Sequence, residues 1–348
     1  MKKINKKHNL LSTIVLSIFF LPLLAQNRSK EETSTIADKP LYRDSIFDGA
    51  ADPTIIWNKK EKKWFMFYTN RRANNGENGV SWVHGTPIGI AESKDGAHWK
   101  YKTNCNINYS LKDVTYWAPD VIKHKGKYHM YLTIVPGIFE DWYHPRYIIH
   151  LTSKNLTDWN FKSKLTLASD RCIDASVFQL PDGNWRMYYN NENDGKSIYY
   201  ADSKDLYHWI DSGKKVVKDR GEGPKVFSWK GKNWMVNDAW KGLGIYSSDD
   251  FINWNRQEKN ILQVPGTGDD DKVIGGHPDV VVNGDKAYVF YFTHPGRTPQ
   301  NKGIDNYETR RSSIQVAELE YINGEIVCKR DQPVKITLKH KNYEKQQL

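Results

Sequence analysis

From about residue 50 the chain repeats one pattern of apolar and polar positions. Each unit opens with a short apolar strand, usually after an acid and often beside a proline. A turn with Lys, Gly or Asp follows, then an aromatic strand, then a third strand that ends in a charged turn and a Trp. The units run DPTIIW, KKWFMFYT and IGIAESKDGAHW; APDVIKH, GKYHMYLT and IIHLTSKNLTDW; DASVFQL, GNWRMYYN and IYYADSKDLYHW; GPKVFSW, GKNWMVND and LGIYSSDDFINW; and HPDVVVN, DKAYVFYF and SIQVAELEYING. The closing elements Ser93 to Trp99, Ser153 to Trp159, Ser203 to Trp209 and Ser248 to Trp254 share one offset, and the fifth copy lacks the Trp. The tryptophans stand 60, 50 and 45 residues apart. Short strands at such a period predict an all-β fold, a five-bladed β-propeller. The aromatic and β-branched residues suit a pleated surface. A lone four-stranded sheet cannot bury both faces, whereas five arranged radially cover one another. The repeated Trp then packs between blades or under a turn. Residues 45–342 are predicted to form a single propeller domain, with 325–342 as a closing strand or an edge cover.

Outside the repeat, Lys2, Lys3, Lys6 and Lys7 precede an apolar run from Leu10 to Leu24, and Ala25 follows. That order predicts a secretory signal peptide over 1–25, cleaved near Ala25. A polar leader, 26–44, follows. No later stretch is apolar for long enough to span a membrane. Loss of the four lysines takes the formal net charge from +10 to +6. The remaining Lys and Arg are spread along the chain, without the basic stripe or module of a nucleic-acid binder. Cys105, Cys172 and Cys328 are too few for a disulfide scaffold, though one bridge could form. An extracytoplasmic protein, periplasmic or secreted, is expected.

In a propeller the chemistry is drawn from equivalent blade openings far apart in sequence. Here these are Asp52 in GAADPTII, Asp120 in YWAPDVIK, Asp174 in RCIDASVF, Glu222 in GEGPKVFS, and His277 with Asp279 in GGHPDVVV. Any one acid beside a proline reads as a turn cap. Acids at all five openings read differently, because crowded carboxylates split their proton affinities. One protonated and one ionised carboxyl is what glycosidic cleavage requires. The run Asp269, Asp270, Asp271 reads as a solvated loop rather than a metal site.

On these motifs the chain resembles glycoside hydrolase family 43, five-bladed propeller enzymes acting on arabinose-, xylose- and galactose-containing polysaccharides. The resemblance spans roughly residues 45–320. It implies Asp52 as general base, Asp174 as the residue that orients the acid and tunes its pKa, and Glu222 in GEGP as general acid. It implies inversion, with Asp52 and Glu222 about 6.5–9.5 Å apart. For substrate contacts it points to Trp117 in TYWAPD and to Arg297 in THPGRTP, each with a structural reading beside it. Asp120 either binds substrate or caps its strand. His277 is either structural or a water-mediated link to a Ca²⁺ ion in the central channel; no cofactor is otherwise required. Two inserts, Asn70 to Thr86 with Arg71 and Pro136 to Arg146 with Trp142, are candidate pocket walls. The partner is a polysaccharide or oligosaccharide. An α-L-arabinofuranosidase ranks first, ahead of β-xylosidase, exo-galactosidase and endo-arabinanase. A non-catalytic carbohydrate-binding propeller and a phosphorolytic relative are the other classes.

Overall fold

The computed structural model describes Met1, residues 35–336 and residues 338–340. The expected signal peptide with its Ala25 site, and the leader up to residue 34, lie outside the described residues apart from Met1. Five antiparallel sheets follow one another in chain order, each made of consecutive strands. Their inner strands are Ala50–Asn58, Thr115–His124, Cys172–Gln179, Glu222–Trp229 and Gly276–Asn283. Each inner strand touches the next, and the fifth touches the first. This is the predicted five-bladed propeller. Blade 2 gains a short extra strand, Asn106–Asn108, parallel to its outer strand Asp158–Lys164.

Five apolar clusters lie between successive blades, because each sheet is apolar on both faces. Among the described residues the ring closes without a whole strand borrowed from another blade; only the bridges Tyr42–Ile314 and Gly49–Ser312 cross from the entry segment to blade 5. Glu325–Cys328 is simply the outer strand of blade 5. Beyond it Lys335–Ile336 pairs with Thr35–Ile36 as a two-stranded clasp. Ile336, Leu338, Leu41 and Tyr42 join the cluster between blades 5 and 1. Residues 35–44 are thus part of the fold rather than of a polar leader: Leu41 and Tyr42 are only 2% and 4% exposed. The acid run also departs from the solvated loop expected of it. Asp271 is fully buried against Arg330 and Lys39, and Asp270 pairs with Arg311. Cys105, Cys172 and Cys328 are free thiols.

The Ser-to-Trp element has a local cause. Ser153 Oγ accepts the backbone N–H groups of Asn155 and Leu156, and Leu156 takes φ +68°. The Trp159 indole N–H then donates to the Leu156 carbonyl. The Ser203 turn and Trp209 repeat this arrangement at Leu206. The turn therefore fixes the six-residue offset and drives the ring into the interblade cluster, where Trp159 meets Phe67 of blade 1 edge-on at 5.9 Å. Trp159→Ala is expected to destabilise the fold by about 3–5 kcal/mol, measured by urea unfolding. A loss under about 1 kcal/mol would show that the ring is not an anchor.

Candidate active site

Every inner strand breaks register near its start, between Ala51 and Thr54, Trp117 and Asp120, Ile173 and Ser176, Glu222 and Lys225, and Gly276 and Asp279. At each break one residue is left-handed: Asp52, Ala118, Asp174, Gly223 and His277. That conformation costs a non-glycine residue roughly 1–3 kcal/mol, and it is held here by the ring of blades. At Gly223 the absence of a side chain is used directly. A Cβ there would stand 2.8 Å from Cγ and Nδ1 of His277.

These bulges bring Asp52, Asp174, Glu222 and His277 to one axial pocket. His277 Nδ1 lies 3.4 Å from Asp52 Oδ1 and 4.0 Å from Asp174 Oδ2. Asp174 Oδ2 accepts the Gly223 N–H at 3.1 Å, which joins it to the strand of Glu222. Arg71 Nη2 donates to both Asp52 oxygens, at 3.1 and 3.3 Å. Its Nη1 donates to His294 Nε2 at 3.0 Å, while His294 Nδ1–H donates to the Arg311 carbonyl. Burial, with Arg297 and Arg71 beside it, holds His294 far below the ordinary imidazole range. It is the neutral acceptor that aims Arg71 at Asp52.

A fourth carboxylate, Asp238, completes the group. It ends the second strand of blade 4, opposite Glu222. Its oxygens accept the N–H groups of Trp240 and His277. The Trp240 indole N–H donates in turn to Glu222 Oε1 at 3.2 Å. Lys196 stands 3.5 Å from Glu222 Oε2 and pairs with Glu192, which also binds Arg146.

This setting separates the proton affinities. Burial raises the Asp52 carboxyl, but Arg71, His277 and the Thr69 hydroxyl outweigh it and hold Asp52 below the ordinary carboxylate range. Burial pushes Asp174 up to about 7, Glu222 and Asp52 adding to it against His277. Burial and Glu222 push Asp238 to about 7 as well. Burial opposes the His277 cation, yet Asp52, Asp174, Glu222 and Asp238 hold its pKa above the usual value.

Of the expected contacts, Trp117, Trp142, Arg71, Arg297 and His277 line this pocket. Trp117 is nearly buried and its indole N–H is taken by the Val83 carbonyl, whereas Trp142 is 46% exposed. Asp120 does not reach the pocket. It belongs two residues further along its strand than Asp52 does along its own, and pairs with Lys225 at 3.1 Å in the channel below. Sequence reasoning missed Asp238, Glu192, Lys196 and Trp240; Trp82 and Arg146 belong to the two inserts expected as pocket walls. Asp238 and Glu192 stand at or just past the ends of second strands, as Arg71 and His294 do, and that shared position is the signal that could have found them.

The axial residues do not fit a calcium ion. Asp52 and Asp174 face His277, and the carboxylates beneath face Lys225, so protein cations already stand where calcium's oxygen ligands would be needed. Among the described residues no cluster of three or more His, Cys, Asp or Glu is arranged to hold a metal, and no helix is long and apolar enough to cross a membrane.

Fold and pocket together define a five-bladed propeller with a cluster of carboxylates at its axis. The chain belongs to the glycosyl hydrolases family 43, whose family model matches residues 42–314. It is therefore an O-glycosyl hydrolase by family. Similar solved structures include a thermostable family-43 glycoside hydrolase (TM-score 0.61, 19% identity, 82% of this chain and 94% of the other). A β-1,3-galactosidase bound to galactodeoxynojirimycin also matches (0.61, 16%, 85% and 97%). A third match is a β-xylosidase/α-arabinofuranosidase from a compost metagenome, with xylotriose and calcium-free (0.58, 16%, 80% and 93%). No curated protein matches the chain.

Asp174 and Asp238 keep protons in the folded state up to about pH 7 that an unfolded chain releases near pH 4. Their stabilisation is therefore complete below about pH 4 and is lost as pH rises through about 7. The Asp174→Asn variant should show a smaller fall in Tm between about pH 4 and 8 than the wild type, by calorimetry. Parallel curves for the two proteins would refute the assignment of that proton to Asp174.

Proposed function

We propose that the protein cleaves terminal glycosidic bonds in arabinose-, xylose- or galactose-containing oligosaccharides or polysaccharides, with inversion. Asp52 is the general base, Glu222 the general acid and Asp174 the residue that orients the acid. The supporting observation is that carboxylates from three separate blades meet in one pocket with different positive neighbours. Asp52 has Arg71 and His277 beside it, so it is ionised and ready to accept a proton. It takes that proton from a water as the water attacks the anomeric carbon. Glu222, held by the Trp240 N–H, gives a proton to the leaving oxygen. Asp174, bonded to Gly223 N–H, fixes the strand start that carries Glu222.

For the sugar, an α-L-arabinofuranoside is our first choice, ahead of β-xyloside, terminal galactoside and internal arabinan bonds. A small axial pocket, about 240 Å³, favours a single terminal unit. A wider cleft shares Trp82, Trp142 and Arg297 with it and leaves room for the rest of the glycan. The propeller domain is proposed to act outside the cytoplasm after cleavage near Ala25.

Aryl arabinofuranoside, xyloside and galactoside substrates test the reading, with proton NMR of the first-formed anomer reporting inversion. Glu222→Gln and Asp52→Ala should each lower kcat by about 10²–10⁴-fold. Unchanged function in Glu222→Gln would favour a carbohydrate-binding propeller without catalysis. Arg71→Met removes a cation that holds Asp52 low, so the acid limb of kcat/KM should move to higher pH. An unmoved limb would rule out Asp52 as the titrating base.

A further inference from the structure

Two residues beyond each left-handed bulge, the inner strands contribute a second tier to the axis. It consists of Thr54, Asp120, Ser176, Lys225 and Asp279. Lys225 Nζ lies 3.1 Å from Asp120 Oδ1 and 2.9 Å from Asp279 Oδ1. Both carboxylates are buried, at 4% and 2% exposure. Each spends its second oxygen on a backbone N–H of another blade. Asp120 Oδ2 accepts from Val177 at 2.8 Å, and Asp279 Oδ2 from Ile55 at 2.7 Å.

The sequence positions of these links give the tier its meaning. Ile55 lies three residues after Asp52, Val177 three after Asp174, and Lys225 three after Glu222. One ammonium therefore joins the strand of Glu222 to that of Asp174 through Asp120, and to that of Asp52 through Asp279. We propose that Lys225 is a positioning residue that sets the spacing of the three candidate catalytic carboxylates, as the channel's own cation, so that no divalent ion is needed there. The inference rests on the catalytic reading above for its effect on rate, but not for its effect on cation dependence. Burial works against charge on Asp120, and Lys225 is the main group opposing it. Without the lysine, two buried acids face each other with no counter-charge, and both bridges between blades slacken. A displacement of about 1 Å at the reacting groups can cost 10²-fold in rate.

The test uses the full chain. In the wild type, EDTA and then added Ca²⁺ should leave both kcat and Tm unchanged; a loss on chelation that Ca²⁺ restores would overturn the proposal. Lys225→Ala should lower kcat by about tenfold or more with KM within about twofold, and propylammonium should restore part of it where propanol does not. A folded Lys225→Ala protein with wild-type kcat, or equal rescue by propanol, would overturn it too. If that variant fails to fold, the triple variant Lys225→Met, Asp120→Asn, Asp279→Asn has no buried charge left in the tier and should still show the loss in kcat. Wild-type kcat there contradicts the inference. Glu222→Gln runs alongside. Should it retain full activity, the catalytic reading fails, while the chelation and Tm measurements still decide whether the channel needs an ion.

Discussion

Five inner strands that begin beside one axis bring their first polar side chains together, and carboxylates so crowded resist ionising at once. In this propeller the conflict is met by cations of the chain itself, arranged in tiers. Arg71 and His277 serve Asp52 and Asp174 in the upper tier, and Lys225 serves Asp120 and Asp279 below. The charges beside each acid, rather than its tier, then decide protonation. The acid nearest the guanidinium is held low, while Asp174 and Asp238, buried beside other acids, are pushed up. A symmetric ring of five blades becomes chemically asymmetric because its cations come from different blades.

The fold was legible because its repeat is local. A Ser that accepts two backbone N–H groups needs only a few residues of chain and recurs in four blades, and in three of them the indole six residues on is bonded to the same turn. Three of the site acids were legible for the same reason: Asp52, Asp174 and Glu222 sit in short openings with distinct neighbours. Asp120 misled because an acid next to a proline was taken as equivalent in every blade. The left-handed residue is the one before Pro53, Pro119, Pro224 and Pro278. Asp52 is that residue, whereas Asp120 and Asp279 follow the proline and so drop to the lower tier. Glu222 precedes the left-handed Gly223, which puts it level with Trp117 and Ile173 on the pocket wall. A shift of one or two residues at a bulge decides between acid, wall and counter-ion. The second-strand ends offered less. Asp238, Glu192, Arg71 and His294 lie where regular pairing stops, and no period leads to them.

Closure follows a related economy. Since each blade is built from consecutive strands, no strand among the described residues is shared by blade 5 and blade 1, and backbone pairing there is limited to the isolated bridges Tyr42–Ile314 and Gly49–Ser312. The seam is instead apolar, with Tyr42, Trp64, Phe290 and Ile314 in one cluster under the terminal clasp. The buried Arg330–Asp271 pair, with Lys39 on the same carboxylate and Tyr291 beside it, fastens both ends of the described chain to the loop before blade 5. The rigid axis depends on that seam, because the left-handed strand starts persist only where the surrounding ring over-determines them.

The pocket wall is built on a different principle from the axis. The two inserts of blades 1 and 2 hold each other: the His84 ring faces the Phe139 carbonyl and Val80 N–H donates to the Glu140 carbonyl, while the Trp117 indole of the inner strand of blade 2 donates to Val83. Arg146 reaches back to the Trp142 carbonyl and across to Glu192. Trp82 and Trp142 therefore stand on one joint unit rather than on two independent loops. The carboxylates need close mutual placement, which strands provide; the wall proposed to face the sugar needs shape, which loops can vary without moving a strand. Because the inserts are interlocked, altering one alone leaves polar groups of the other without partners. A change of sugar preference in this scaffold is then most readily reached by altering both inserts together while leaving both tiers of the axis untouched.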